Sequence, residues 1–454
     1  MISLFSRRRG HSLALAFAIA TGTATVATTL FPAEASAQRA PRDRDRERVR
    51  DRQQQEDSGG YSDAFREAYV PLDEALKAEG ANIAALRPQI DALIPLLGTN
   101  DEKIAGGGLI FNAGINSQDR ALQLIGMEIM LESGKIPAEQ VGRYNFIAYQ
   151  LSNEQRNYAQ ARTYLQGAID NNFTTDTISA PDLQIAMAES FFASDLLGEG
   201  FDYLENAIAG RLEQGLSVDE QWYRRGVTVA YENEVTPEVY DFAIMWLAEY
   251  SSEDNWRDAI NLTRNLNTFE GPEILDLFRL GRKVGALQEE SDYDYYVEAA
   301  DARRLPKEVR DVIQEGYSSG RVSRDNLYAS EALAVAEGRI ESDRADLPVL
   351  EQDALAADAG LRTVVAAGDA FLSYEEYSKA VTFYDRALGM DGVNTQLVLT
   401  RLGMSQIGAG DFEAARATLA RVEGVREPIA KLWIAYANEL EANMSSPSSA
   451  NIGG

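Results

Sequence analysis

Residues 361–392 read LRTVVAAGDAFLSYEEYSKAVTFYDRALGMDG. Apolar side chains recur at helical spacing on both sides of Ser373–Tyr377, so the stretch predicts two amphipathic helices joined by a tight turn. Small and aromatic residues are interleaved in it: Gly368 and Phe371 in the first helix, Tyr377, Ala380, Tyr384 and Ala387 in the second. Antiparallel helices approach closely only where one offers Gly or Ala and the other inserts a ring, so this spacing encodes a packed hairpin. The pattern returns with Gly403, Phe412, Ala415 and Leu419, where Ala415 is the equivalent of Ala380. The two turns also correspond, Ser373–Tyr377 in one unit and Gly408–Phe412 in the next.

Both units resemble the tetratricopeptide repeat, whose units of about 34 residues carry small or aromatic side chains at these positions. The resemblance implies an all-α fold, a right-handed superhelical solenoid of antiparallel helix pairs, with a groove lined by first-helix residues. Carried onto this sequence, the groove candidates are Arg362, Asp369 and Leu372, then Arg401 and Met404, then Tyr223, Arg224 and Tyr231. The positions of a carboxylate clamp are Val365, Asp369, Leu397 and Arg401; only Arg401 suits one, so that binding mode is not expected.

Weaker units extend upstream. Trp222 and Trp256 fit the first-helix tryptophan. Tyr158, Ala161, Leu165 and Ala168 fit the second helix, as do Ala188, Phe191, Leu204 and Ala207 across another pair, and Gly108, Phe111, Ala121 and Ile125 more loosely. The expected organisation is degenerate repeats over 61–360, two clear repeats over 361–424 and a capping helix within 425–442, opened by Pro428 with Trp433 and Tyr436 on one face. Pro71, Pro88 and Pro95 mark an N-terminal cap, and 325–366 reads as two long helices without a repeat signature. Division by the repeat length allows about eleven helix pairs.

The N-terminus reads as a secretory signal. Arg7–Arg9 form a positive region, Leu13–Ile19 an apolar core, and Ala35-Ser36-Ala37 a cleavage site, with Ala33-Glu34-Ala35 as an earlier alternative. Residues 38–60 hold seven arginines and six acids with Val49 as the one aliphatic side chain beyond alanine, which predicts a disordered leader. Residues 443–454 read as a disordered polar tail. Together these features resemble periplasmic tetratricopeptide proteins of Gram-negative bacteria, and the expected compartment is the periplasm.

The chain has 454 residues, no cysteine and a single histidine, His11, inside the signal segment. That excludes Ser-His-Asp and Cys-His chemistry and the usual zinc, haem and iron–sulfur ligands from the exported part. No phosphate-binding Gly-rich motif is present, and Gly106–Gly108 reads as a helix-start turn. Asp292 and Asp294 read as a solvated helix face. The signal segment carries three arginines and Glu34, so its loss moves the net charge from −28 to −30. Such a chain repels nucleic acid and anionic lipid and favours basic partners. The expected function is a non-enzymatic envelope scaffold that binds an extended segment of another protein and needs no cofactor. Two alternatives stand beside it: a carboxylate-only glycan-cleaving enzyme, for which Glu189-Ser190-Phe191-Phe192 faintly resembles the lytic transglycosylase motif, and a self-assembling structural protein.

Overall fold

The computed structural model describes residues 60–445. The signal segment, all but the last residue of the leader, and positions 446–454 of the tail lie outside the described residues. Twenty α-helices and two short 3-10 turns follow one another, and no strand occurs among the described residues. They run α1 (Asp63–Lys77), α2 (Ile83–Leu93), α3 (Asn100–Ser117), α4 (Arg120–Glu132), α5 (Ala138–Glu154), α6 (Tyr158–Asp170), α7 (Ala180–Phe192) and α8 (Leu197–Glu213). The middle comprises α9 (Glu220–Glu232), α10 (Thr236–Glu249), α11 (Glu253–Leu266), α12 (Gly271–Lys283), α13 (Glu290–Ala300) and α14 (Pro306–Ser319). The chain ends with α15 (Leu327–Leu355), α16 (Leu361–Ser373), α17 (Tyr377–Leu388), α18 (Thr395–Gly408), α19 (Phe412–Leu419) and α20 (Glu427–Ser445).

Neighbouring helices pack in pairs, and the pair turns are built alike. One to three residues past the end of the first helix the backbone is left-handed, at Gln118, Arg156, Asp195, Glu234, Glu375 and Gly410, with φ between 56° and 82°. At each turn the next N–H donates to a carbonyl five residues back: Asp119 to Gly114, Asn157 to Ser152, Leu196 to Phe191, Val235 to Ala230, Glu376 to Phe371 and Asp411 to Gln406. This closes the helix end by satisfying a carbonyl that has no intrahelical partner. In the N-terminal half the left-handed residues recur every 38 or 39 positions, a few residues longer than the period expected from the sequence.

The hairpin seams are glycine against ring or leucine. A Cβ on Gly368 would lie 2.7 Å from the Tyr384 ring, one on Gly403 2.4 Å from Leu419, and one on Gly226 2.3 Å from Phe242. Ala380, Ala387 and Ala415 are fully buried, Phe371, Tyr384 and Leu419 nearly so, and Tyr377 and Phe412 half-buried. In the α3–α4 pair the contact is with backbone: a Cβ on Gly126 would lie 2.4 Å from the Phe111 backbone nitrogen.

Several local expectations are corrected. Gly106–Gly108 lie in the middle of α3, where Gly107 faces Gly126 backbone to backbone, and the start of that helix is capped by Thr99 and Glu102. Residues 325–366 hold one 29-residue helix, α15, that continues through Pro348, and then the start of α16. Pro71 and Pro88 likewise sit inside α1 and α2. Asp292 is buried rather than solvated, because its carboxylate accepts from the Gln288 and Glu289 N–H groups at the start of α13. The last helix runs to Ser445, into the stretch read as tail.

The helical array turns back on itself. The final helix α20 packs against α10 and α12 as well as α18 and α19. Two helices are enclosed on nearly every side as a result: Leu275–Gly281 of α12 and Val398–Ile407 of α18 are buried without interruption. A helix stretch buried on every side is part of the core. These two carry Asp276, Arg279 and Arg401 into it.

Candidate functional site

The returning helix creates a seam held by buried charge. Asp276, with no exposed surface, accepts from three arginines: Arg279 Nη1 at 3.0 Å, Arg401 Nε at 3.1 Å and Arg426 Nη1 at 2.7 Å. Its backbone carbonyl accepts from Trp433 Nε1 of α20 at 3.1 Å. The arginines are shared with further acids. Arg279 donates two parallel bonds of 2.7 Å to Glu308, Arg401 Nη1 donates to Asp369 at 2.6 Å, and Arg426 Nη2 lies 2.9 Å from Glu273. Tyr296 donates to Glu308 and Tyr384 to Asp369, each at 2.7 Å. More exposed links follow along α20: Lys431 to Asp241 at 3.0 Å, and Trp256 Nε1 to Glu439 at 3.0 Å.

Electrostatics agree with this geometry. Burial alone would raise the Asp276 carboxyl, but Arg401, Arg426 and Arg279 outweigh it and hold it below the ordinary range. Glu308 is likewise lowered, burial being outweighed by Arg279. Burial and the neighbouring Glu308 push the Tyr296 hydroxyl well up, so it remains a donor.

Beside this network the seam opens into a cleft of about 280 Å³. Its floor is the Arg279–Glu308–Tyr296 group, its wall Leu372, Met404, Ile407, Trp433 and Tyr436, and its mouth Arg282, Lys283, Glu375 and Tyr377. Lys283 Nζ lies 3.1 Å from Glu375 and 3.2 Å from the Tyr377 hydroxyl. Arg282 is held by Glu315, with Nε 2.8 Å from the carboxylate.

The groove candidates occupy different places. Arg401 is buried in the network, with Asp369 as one of its acceptors. Leu372 and Met404 are buried on the cleft wall. Tyr223 is fully buried, 6.0 Å from the Tyr250 ring. Arg224 is part-exposed, with its guanidinium 5.3 Å from the Trp246 ring; Tyr231 is half-buried and Arg362 exposed. Glu189 of the transglycosylase-like motif is gripped by Arg225 through two nitrogens.

Sequence reasoning overlooked Asp276, Arg279, Glu308 and Arg426. A signal existed in GPEILDLFRLGRK, where Asp276 and Arg279 interrupt a run of Leu275, Leu277, Phe278 and Leu280. Charges amid an otherwise apolar helix require buried partners. No protein-family model and no curated protein matches the chain.

Proposed function

We propose that this chain is a non-enzymatic interaction scaffold of the cell envelope, a tetratricopeptide-like solenoid that binds an extended segment of a partner protein. The observation that carries the reading is the tandem of like pairs from α3 to α10, closed by one turn geometry every 38 or 39 residues. Stacked pairs repeat a surface along their length, which suits an extended ligand. The secretory signal supports an envelope location, and the absence of histidine and cysteine beyond residue 37 supports binding over catalysis. The net charge of −30 after signal removal favours a basic partner. No described helix is long and apolar enough to cross a membrane.

The chain's own α20 covers α12 and parts of α10 and α18, so this reading assigns the partner to the face of the α3–α10 tandem that α20 leaves open. Arg224, part-exposed above the buried Trp246 ring, is of the residue type enriched among interface hot spots. The test is crosslinked capture of the exported chain from the periplasm, comparing wild type with Arg224→Ala. One recurrent basic protein, lost in the variant, is expected; an identical set of proteins in both contradicts the assignment.

One observation favours a second reading, self-assembly. Leu327, Val349 and Leu355 of α15 are 75%, 59% and 54% exposed. Sedimentation at rising concentration decides it: a growing mass supports assembly and a constant monomer removes it.

A further inference from the structure

We propose that the seam cleft is a binding site for a small amphipathic anion, an apolar body carrying one carboxylate or sulfonate head. The inference stands apart from the partner-binding reading, since it rests on the cleft alone. The wall supplied by Leu372, Met404, Trp433 and Tyr436 is apolar and aromatic, and the methionine side chain adapts its shape readily. A cleft of about 280 Å³ is near the lower bound of small-molecule sites.

The sign of the head group follows from the mouth. Lys283 is one of seven lysines in a chain of net charge −28, and it stands next to Arg282. Three cations, Arg279, Arg282 and Lys283, line the cleft with two carboxylates, Glu308 and Glu375, and Arg282 is already neutralised by Glu315 outside the lining, which leaves Lys283 as the cation open to a ligand. Arg279 and Glu308 neutralise each other in the floor, with side chains only 7% and 5% exposed. At the mouth, the Lys283 and Glu375 side chains are 40% and 48% exposed. A pair so open to water is weakly held, and a ligand carboxylate can replace Glu375 at little cost. Lys283 Nζ and the Tyr377 hydroxyl, 3.2 Å apart, then donate together to the incoming head. A cationic head would face Lys283 instead.

The test is a fluorescence titration of the whole chain with 1-anilinonaphthalene-8-sulfonate, then displacement below the critical micelle concentration by decanoate or by decyltrimethylammonium. Saturation at one probe per chain is expected, with displacement by decanoate and not by the cation of equal chain length. Lys283→Gln is expected to weaken the probe about tenfold with an unchanged thermal melt. Non-saturating binding, equal displacement by both chains, or undiminished affinity in a folded Lys283→Gln variant overturns the proposal. The displacement comparison uses wild-type protein and decides the matter even where the variant fails to fold.

Discussion

Asp276 and Arg426 stand 150 positions apart in the chain and meet at 2.7 Å where neither side chain is more than 1% exposed. The contact joins α12 to the turn before α20 and makes the C-terminal third of the chain part of the core of its middle. Removing one partner of such a group leaves the others charged and dry. Asp276→Asn should therefore destabilise the chain by about 3–5 kcal/mol, measured by urea unfolding. A loss below about 1 kcal/mol would show that the three arginines reach water or other acceptors.

The same carboxylates set an acid dependence. Asp276 and Glu308 are both lowered in the folded state, burial being outweighed by the arginines. A lowered carboxyl contributes stability that is complete above its unfolded value, about 3.9 for Asp and 4.3 for Glu, and is lost as pH falls through the folded value. The stability gap between wild type and Asp276→Asn should be constant from pH 7 to about pH 5 and narrow below about pH 4. Unfolding curves at several pH values check this, and a gap that widens in acid would reverse the sign.

Two helical glycines make opposite predictions. A Cβ on Gly126 meets the Phe111 and Gly107 backbones of α3, which cannot step aside, whereas one on Gly210 of α8 meets nothing within 4 Å. Gly126→Ala should cost about 1–3 kcal/mol or more. Gly210→Ala should add up to about 1 kcal/mol through helix propensity. Equal effects in thermal melts would mean that the first helix pair is looser than described.

The left-handed turn residues provide a third contrast. Arg156 sits at φ 58° in the turn between α5 and α6, a conformation that costs a side-chain-bearing residue about 1–2 kcal/mol. Arg156→Gly should stabilise the chain by up to about 1 kcal/mol once the added freedom of the unfolded glycine is deducted. Gly410→Ala, at φ 82°, should destabilise by a similar amount. Calorimetry on the two variants reads both signs.

The sequence discloses its local packing far better than its closure. Gly368, Tyr384, Gly403 and Leu419 announce their contacts because each pair lies within one hairpin and glycine against a bulky side chain has one common use. The longer period is hidden because the residues that mark it are Gln118, Arg156, Asp195 and Glu234, none of which advertises a left-handed turn as glycine does. Pro348 misleads in the other direction, since α15 absorbs it without ending. The seam is hidden for a different reason. Asp276 meets Arg401 and Arg426 across 125 and 150 positions, and no local period encodes such a contact. Arg401 therefore reads as a groove residue from its place in a repeat, although the returning helix leaves it buried against Asp276.

The proposed partner lies along the α3–α10 side. The most direct measurement replaces Gln221, exposed one turn before Arg224 on α9, with a photo-crosslinking residue in the full chain, irradiates intact cells and identifies the adducts by mass spectrometry. A single recurrent envelope protein joined at position 221, and absent when the same residue is placed at exposed Glu413 of α19, is the predicted result. Adducts with no protein above the unirradiated control would overturn the proposed scaffold role.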